Sequence, residues 1–140
     1  MVYTYTRQRG GSVLLTVDAN DKRPIYQQIV DGVKALIARG DLQEGTPLPT
    51  VRQVAGDLRV NLNTIAVAYR QLQDEGFLSV RHGAGTVVSI RPGRSIETED
   101  LRKPLRPALT ELILTGLSDE AIAGIVRQEL KALRLKGDRR

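Results

Sequence analysis

Cysteine and tryptophan are absent from the 140 residues, and there is one histidine, His82. Without cysteine there is no disulfide, no thiolate metal ligand and no cysteine nucleophile, and a reducing compartment suits the chain. A Ser-His-Asp triad has one place to be built, and a transition-metal site would rest on a single imidazole plus carboxylates. No apolar run approaches the ~20 residues that span a bilayer. The N-terminal stretch through Arg9 lacks a signal peptide's apolar core, and the short run Val13-Leu14-Leu15-Thr16-Val17 does not replace it. These absences predict a soluble cytoplasmic protein with no catalytic residue, no metal site and no cofactor.

Aromatic residues are also scarce, at 4%, so the core must be aliphatic. With 41% hydrophobic and 26% charged residues, usage is otherwise that of an ordinary globular protein. The length suits one compact unit, or a small domain with an appendage. The net charge is +5, from 21 basic and 16 acidic side chains. Residues 21–96 hold ten basic and seven acidic side chains, against two and one in residues 1–20 and nine and eight in residues 97–140. The excess favours an anionic partner such as nucleic acid and concentrates in the middle of the chain.

Residues 1–20 read as an N-terminal extension, with a short β-like run at Ser12 to Val17. From Pro24 the apolar residues Ile25, Ile29, Val33, Leu36 and Ile37 recur at helical spacing, with Pro24 suited to the first turn and Gly40 to the stop. Two prolines and two glycines then forbid helix from Gly40 to Pro49. Thr50-Val51-Arg52-Gln53 is a capping box, opening a short helix whose buried positions are Val51, Val54, Ala55 and Leu58. Asn61 is a good N-cap for another, with Ile65, Ala68, Tyr69 and Leu72 inward and Gly76 at its end. Two β-like runs, Phe77–Arg81 and Thr86–Ile90, flank a four-residue loop, His82-Gly83-Ala84-Gly85. Helix, helix, helix and hairpin in this order predict a winged helix-turn-helix over residues 21–91, with the helix-turn-helix itself at about 50–69.

The second helix of such a motif lays its N-terminal residues on base edges in the major groove, which calls for short polar side chains there. Asn61-Leu62-Asn63-Thr64 meets that need: Asn bonds adenine bidentately, and Thr reaches a phosphate, a base edge or a thymine methyl. Asn61 and Thr64 also suit a purely capping role, which is compatible with phosphate contact.

The stretch from Pro24 to Val88 resembles the GntR family of bacterial transcription regulators. The likeness is carried above all by Leu48-Pro49-Thr50-Val51-Arg52-Gln53-Val54-Ala55, Val60-Asn61-Leu62-Asn63-Thr64-Ile65-Ala66-Val67-Ala68-Tyr69-Arg70-Gln71-Leu72, Glu75-Gly76-Phe77-Leu78 and Gly83-Ala84-Gly85-Thr86-Val87-Val88. The short helical C-terminus and the Val-Asn-x-Asn-Thr run resemble its YtrA-like subfamily, in which a two-helix dimerisation unit replaces a large effector domain. The resemblance implies a sequence-specific regulator of transcription, a repressor, with double-stranded operator DNA as partner. It places Arg52 at the major groove, Asn61, Asn63 and Thr64 among the contacts of the reading helix, and His82 and Gly83 at a wing tip that enters the minor groove. Arg81 is a phosphate partner on this reading, and Tyr69 is core, phosphate contact or both. Many members have arginines where Leu62 and Ala66 stand, so base preferences of other branches do not transfer.

After a linker at residues 92–99, two apolar stripes follow within residues 100–135, and residues 136–140 form a polar tail. Pro104 and Pro107 confine the first helix to Leu105–Leu114, and Ser118 caps the second. Two helices of three and four turns cannot bury both stripes on each other. The expected outcome is a two-fold homodimer through Leu105, Leu109, Leu112, Ile113, Ile122, Ile125, Val126 and Leu130, setting two reading helices on a palindromic operator with half-sites ~34 Å apart; the alternative is a hairpin packed back on its own winged helix. About 40 residues are too few for an effector cavity of several hundred Å³ within one protomer. A protein–protein module on the same fold is the alternative, against which the polar set at Arg52 and Asn61–Thr64 argues.

Overall fold

A computed structural model describes residues 2–5, 15–90 and 98–134, apart from the side chains of residues 2–5 and 16. The expected strand residues Ser12 to Leu14, most of the 92–99 linker and the 136–140 tail lie outside the described residues. Two compact units divide the chain, one formed by residues up to Arg91 and the other by Pro92–Leu135. No described helix is long and apolar enough to cross a membrane.

The first unit begins with an antiparallel pair, β1 (Val2–Tyr5) and β2 (Leu15–Asp18), with Val2 opposite Asp18 and Tyr5 opposite Leu15. Three helices follow, α1 (Ile25–Ala38), α2 (Val51–Leu58) and α3 (Leu62–Asp74), and then a second antiparallel pair, β3 (Leu78–Arg81) and β4 (Gly85–Val88). This is a winged helix-turn-helix with an added N-terminal hairpin. Ile29, Val33 and Leu36 of α1, Val54 and Leu58 of α2, and Ile65, Ala68 and Leu72 of α3 meet in one aliphatic core, which Leu78 and Val88 close from the wing. Ile25, Ile37 and Val51, expected in the stripes, pack on its margin half-buried.

Pro24 stands at the N-cap of α1 with extended ψ, 148°, one residue before the turn where the sequence pattern puts it. At the other end Gly40 takes φ 79°, and its N–H donates to the Ile37 carbonyl while that of Asp41 donates to Leu36. These paired bonds satisfy two carbonyls that the helix end would otherwise orphan. The first strand pair is anchored to α1 through Gln28, which is only 4% exposed. Its Oε1 accepts from the Asp18 N–H at 2.8 Å, and its Nε2 donates to the carbonyls of Asp18 and Arg23 at 2.9 and 3.0 Å. A buried amide is tolerated there because both its ends are used. Nearby, a Cβ on Gly32 would lie 3.2 Å from Leu15 Cδ1, so the bare glycine is what admits β2 to the helix surface.

The wing differs from its expected outline. Arg81 pairs with Gly85, so the loop is three residues, His82 to Ala84, and β3 and β4 have four residues each, one fewer than the β-like runs suggest. Gly83 and Gly85 both adopt positive φ, 81° and 72°, which closes the hairpin early. A third strip joins it: Gly45 N–H donates to Val88, Leu48 N–H to Thr86, and Val88 N–H to Thr46, with Pro47 bridging Val87. The turn-rich passage before α2 is thereby bonded to the wing.

The second unit contains α4 (Thr98–Arg102), α5 (Leu105–Leu114) and α6 (Asp119–Arg134). The short α4 takes residues the sequence reading divides between the linker and the first stripe. Pro107 lies in the first turn of α5, where its missing N–H has no intrahelical partner to lose. Gly116, at φ 84°, ends the hairpin's first arm, and Ser118 Oγ accepts from the Ala121 N–H at the start of α6. Of the eight residues expected to pair two chains, only Ile122 is buried. Leu109, Leu112 and Ile125 are half-buried, and Leu105, Ile113, Val126 and Leu130 are exposed.

Candidate nucleic-acid interface

The helix-turn-helix is built by local chemistry. At the start of α2 the Gln53 N–H donates to Thr50 Oγ1 at 3.1 Å, and the Thr50 N–H donates to Gln53 Oε1 at 2.9 Å. This reciprocal cap, worth about 1 kcal/mol, fixes where the helix begins and therefore where Arg52 projects from its first turn. Arg52 is exposed and forms no ion pair with a described carboxylate.

The turn between α2 and α3 runs through Arg59, a non-glycine residue in the left-handed region at φ 53°, ψ 43°. The Val60 N–H then donates to the Ala55 carbonyl, a helix ending usually given to glycine. Holding arginine there costs about 1 kcal/mol relative to glycine. Asn61 caps α3, its Oδ1 accepting from the Asn63 N–H at 2.8 Å. One asparagine is thus committed to the backbone, although its oxygen keeps a second lone pair. Asn63 is exposed, and its side-chain amide bonds to no described residue, which leaves its donor and acceptor for a base edge. Thr64, one turn in, is half-buried.

Tyr69 is 5% exposed, and its hydroxyl donates to the Pro49 carbonyl at 2.7 Å. Its place is in the platform under the Pro49–Thr50 turn, so α3 and the start of α2 are joined beneath the surface that carries Arg52. Arg81, His82 and Gly83 lie exposed at the end of β3 and on the wing loop. The structure therefore sets seven of the eight sequence-selected residues at the α2 start, the α3 start and the wing of one unit, and the eighth, Tyr69, in its core.

Charge pairing separates this surface from the rest of the unit. Arg23 bridges Asp21 and Asp31, Lys34 bridges Glu75, and Arg39 pairs with Asp41. Hydrogen bonding to Arg23 holds the Asp21 carboxyl below its ordinary pKa, and Asp21 in turn raises that of Arg23. Among the described residues of this unit, Lys22, Arg52, Arg59, Arg70 and Arg81 have no carboxylate partner. Four of the five lie between Arg52 and Arg81, on the helix-turn-helix and wing. The left-handed conformation of Arg59 carries no sequence signal, because the residue type expected at that turn is glycine. Among the described residues no group of His, Asp or Glu side chains is arranged to hold a metal ion.

Comparison with known proteins agrees with this geometry. Residues 25–88 match the family described as bacterial regulatory proteins, gntR family. The HTH-type transcriptional repressor YtrA of Bacillus subtilis is 30% identical over 117 residues, 84% of this chain and 86% of that protein. The solved structure of YtrA from Sulfolobus acidocaldarius, a GntR-family transcription factor, is 38% identical, covers 69% of this chain and 97% of its own, and superposes with a TM-score of 0.57. A transcriptional antiterminator from Listeria monocytogenes, 26% identical, covers 84% of this chain and 90% of its own at a TM-score of 0.75. With its capped helix-turn-helix, its wing and a relative matched along most of both lengths, the chain belongs to the GntR family of bacterial regulatory proteins, in its YtrA-like branch, as a DNA-binding transcription regulator and not an enzyme.

Proposed function

We propose that the chain is a homodimeric, sequence-specific repressor of the bacterial cytoplasm. In this reading α3 enters the major groove, the wing loop lies at the minor groove, and the two-fold axis of the dimer falls on a palindromic operator. The carrying observation is the cluster of arginines without carboxylate partners between Arg52 and Arg81, where the other described arginines of the unit, Arg23 and Arg39, are paired. Unpaired cations release counterions on meeting phosphates, which supplies salt-dependent affinity. Arg52 and Asn63, exposed on the starts of adjacent helices, choose bases. Asn61 and Thr64 order the α3 start and meet phosphate, and Tyr69 positions the Pro49–Thr50 turn from below. Repression is supported by the printed role of the Bacillus subtilis relative.

The dimer is supported by the exposed stripe of the second unit, where Leu105, Ile113, Val126 and Leu130 face water in a single chain. Leu109, Leu112, Ile122 and Ile125 back the same stripe and complete the proposed interface. Selection of binding sites from random duplex DNA tests the whole reading, and a two-fold symmetric consensus is the expected product. Arg52→Ala and Asn63→Ala then lower the specific-to-nonspecific ratio, each by roughly 1–3 kcal/mol of discrimination, while Arg81→Ala weakens all duplexes about equally. Unchanged discrimination in both of the first two variants refutes the assignment of readers.

A further inference from the structure

We infer that the outward face of α3 reads thymine through its C5-methyl group, with Leu62 as the principal contact. The inference rests on the proposed entry of α3 into the major groove and adds the base class that this helix selects. With Ile65, Ala68, Tyr69 and Leu72 turned into the core, the outward side of the first two turns carries Asn63, Ala66 and Val67, and Leu62 stands exposed at the helix start on the edge of the core stripe. Leu62 is 44% exposed and Val67 45% exposed, so two large aliphatic side chains stand in water on the surface that should be most polar if it only formed hydrogen bonds. No charged residue occurs on α3 before Arg70.

The surroundings decide the occupant. A neutral apolar strip on a helix-turn-helix whose Arg52, Arg59 and Arg70 have no carboxylate partner among the described residues does not suit a second apolar protein surface. It does suit the floor of a major groove, where phosphates form the rim and the apolar groups on offer are the methyls of thymine. Asn63 adjoins Leu62 in sequence, and its amide matches adenine N6 and N7. The two side chains together favour A·T steps in which a thymine methyl lies beside an adenine edge.

Replacing thymine by deoxyuridine removes that methyl and leaves every hydrogen-bonding group in place. The full-length protein is titrated with its selected duplex and with duplexes carrying deoxyuridine at single thymine positions of each half-site. Affinity is expected to fall about fourfold at the position Leu62 covers, the value of one buried methyl or methylene. Leu62→Ala, at an exposed site, keeps the wild-type melting temperature, binds the thymine duplex several-fold more weakly, and loses its sensitivity at that same position. Equal affinity of the wild-type protein for thymine and deoxyuridine duplexes overturns the inference and leaves sequence-specific binding intact. So does a Leu62→Ala variant that keeps the full deoxyuridine penalty everywhere. If random duplexes yield no consensus at all, or the strip retains a protein partner in place of DNA, the DNA reading fails and this inference fails with it.

Discussion

The two units of this chain solve the burial problem differently. In the first, sixteen buried residues from strands, three helices and the loop after α1 form one continuous core. In the second, α5 and α6 bury Ile122 alone, while Leu114 stands 75% exposed. Both regions carry aliphatic stripes at helical spacing, so the contrast is not one of composition. A stripe folds inward where enough further elements cover it, and α5 and α6 have only the five-residue α4, which buries nothing of its own. The first unit therefore covers its own apolar surface, whereas the second leaves most of its stripe exposed, as the proposed dimer requires.

The sharpest way to break this contrast is a charge on the uncovered stripe. Val126→Asp is expected to weaken self-association at least a hundredfold, since a carboxylate would be buried without a partner in the proposed interface. Sedimentation at graded concentrations reads this directly, and Val80→Asp, on the exposed side of the wing, serves as the comparison with no effect on association. A dimer that survives Val126→Asp unchanged removes the stripe from the interface.

Next in size is Gln28→Ala, which leaves the Asp18 N–H and two carbonyls without their partner. It should cost the first unit about 2 kcal/mol in urea unfolding without altering the association constant. Arg59→Gly follows, with effects of opposite sign: roughly 1 kcal/mol of added stability from relief of the left-handed turn, and a salt slope of DNA binding shallower by about 1. A variant that is more stable and binds DNA as before would show that Arg59 has no phosphate to meet.

The smallest effect concerns Asp21. Because its folded-state pKa lies below the ordinary 3.8, its contribution is complete above that value and is lost as pH falls through the lower one. Wild-type protein should thus melt slightly above Asp21→Asn at neutral pH, with the gap closing in acid. Its partner Arg23 lies exposed at the surface, so salt should narrow the gap too.

What could be read from the chain was local. The cap of Thr50 and Gln53 lies within four residues, and the stripes of α1, α3 and α5 repeat every three or four, so each announces itself. Gln28 does not, because a polar residue in a helix ordinarily faces water and its partner Asp18 stands ten residues upstream with no motif between them. Pairing of β1 with β2, the Tyr69 bond to Pro49 across twenty residues, and the strip formed by Gly45 to Leu48 all depend on tertiary contact. The candidate site divides in the same way. Its residue types were legible from spacing and resemblance, whereas the separation of paired from unpaired arginines and the apolar outward face of α3 needed the fold.

The backbone bonds from Gly45, Thr46 and Leu48 to β4 have a consequence for DNA. In the proposed complex they would make the wing and the start of α2 two jaws of one gauge, tied by hydrogen bonds between main chains. Such a gauge would resist adapting to the duplex, so that a sequence with the wrong groove width would have to bend to it at a cost in energy. Bases lying between the two jaws, touched by neither, would then be selected by stiffness alone.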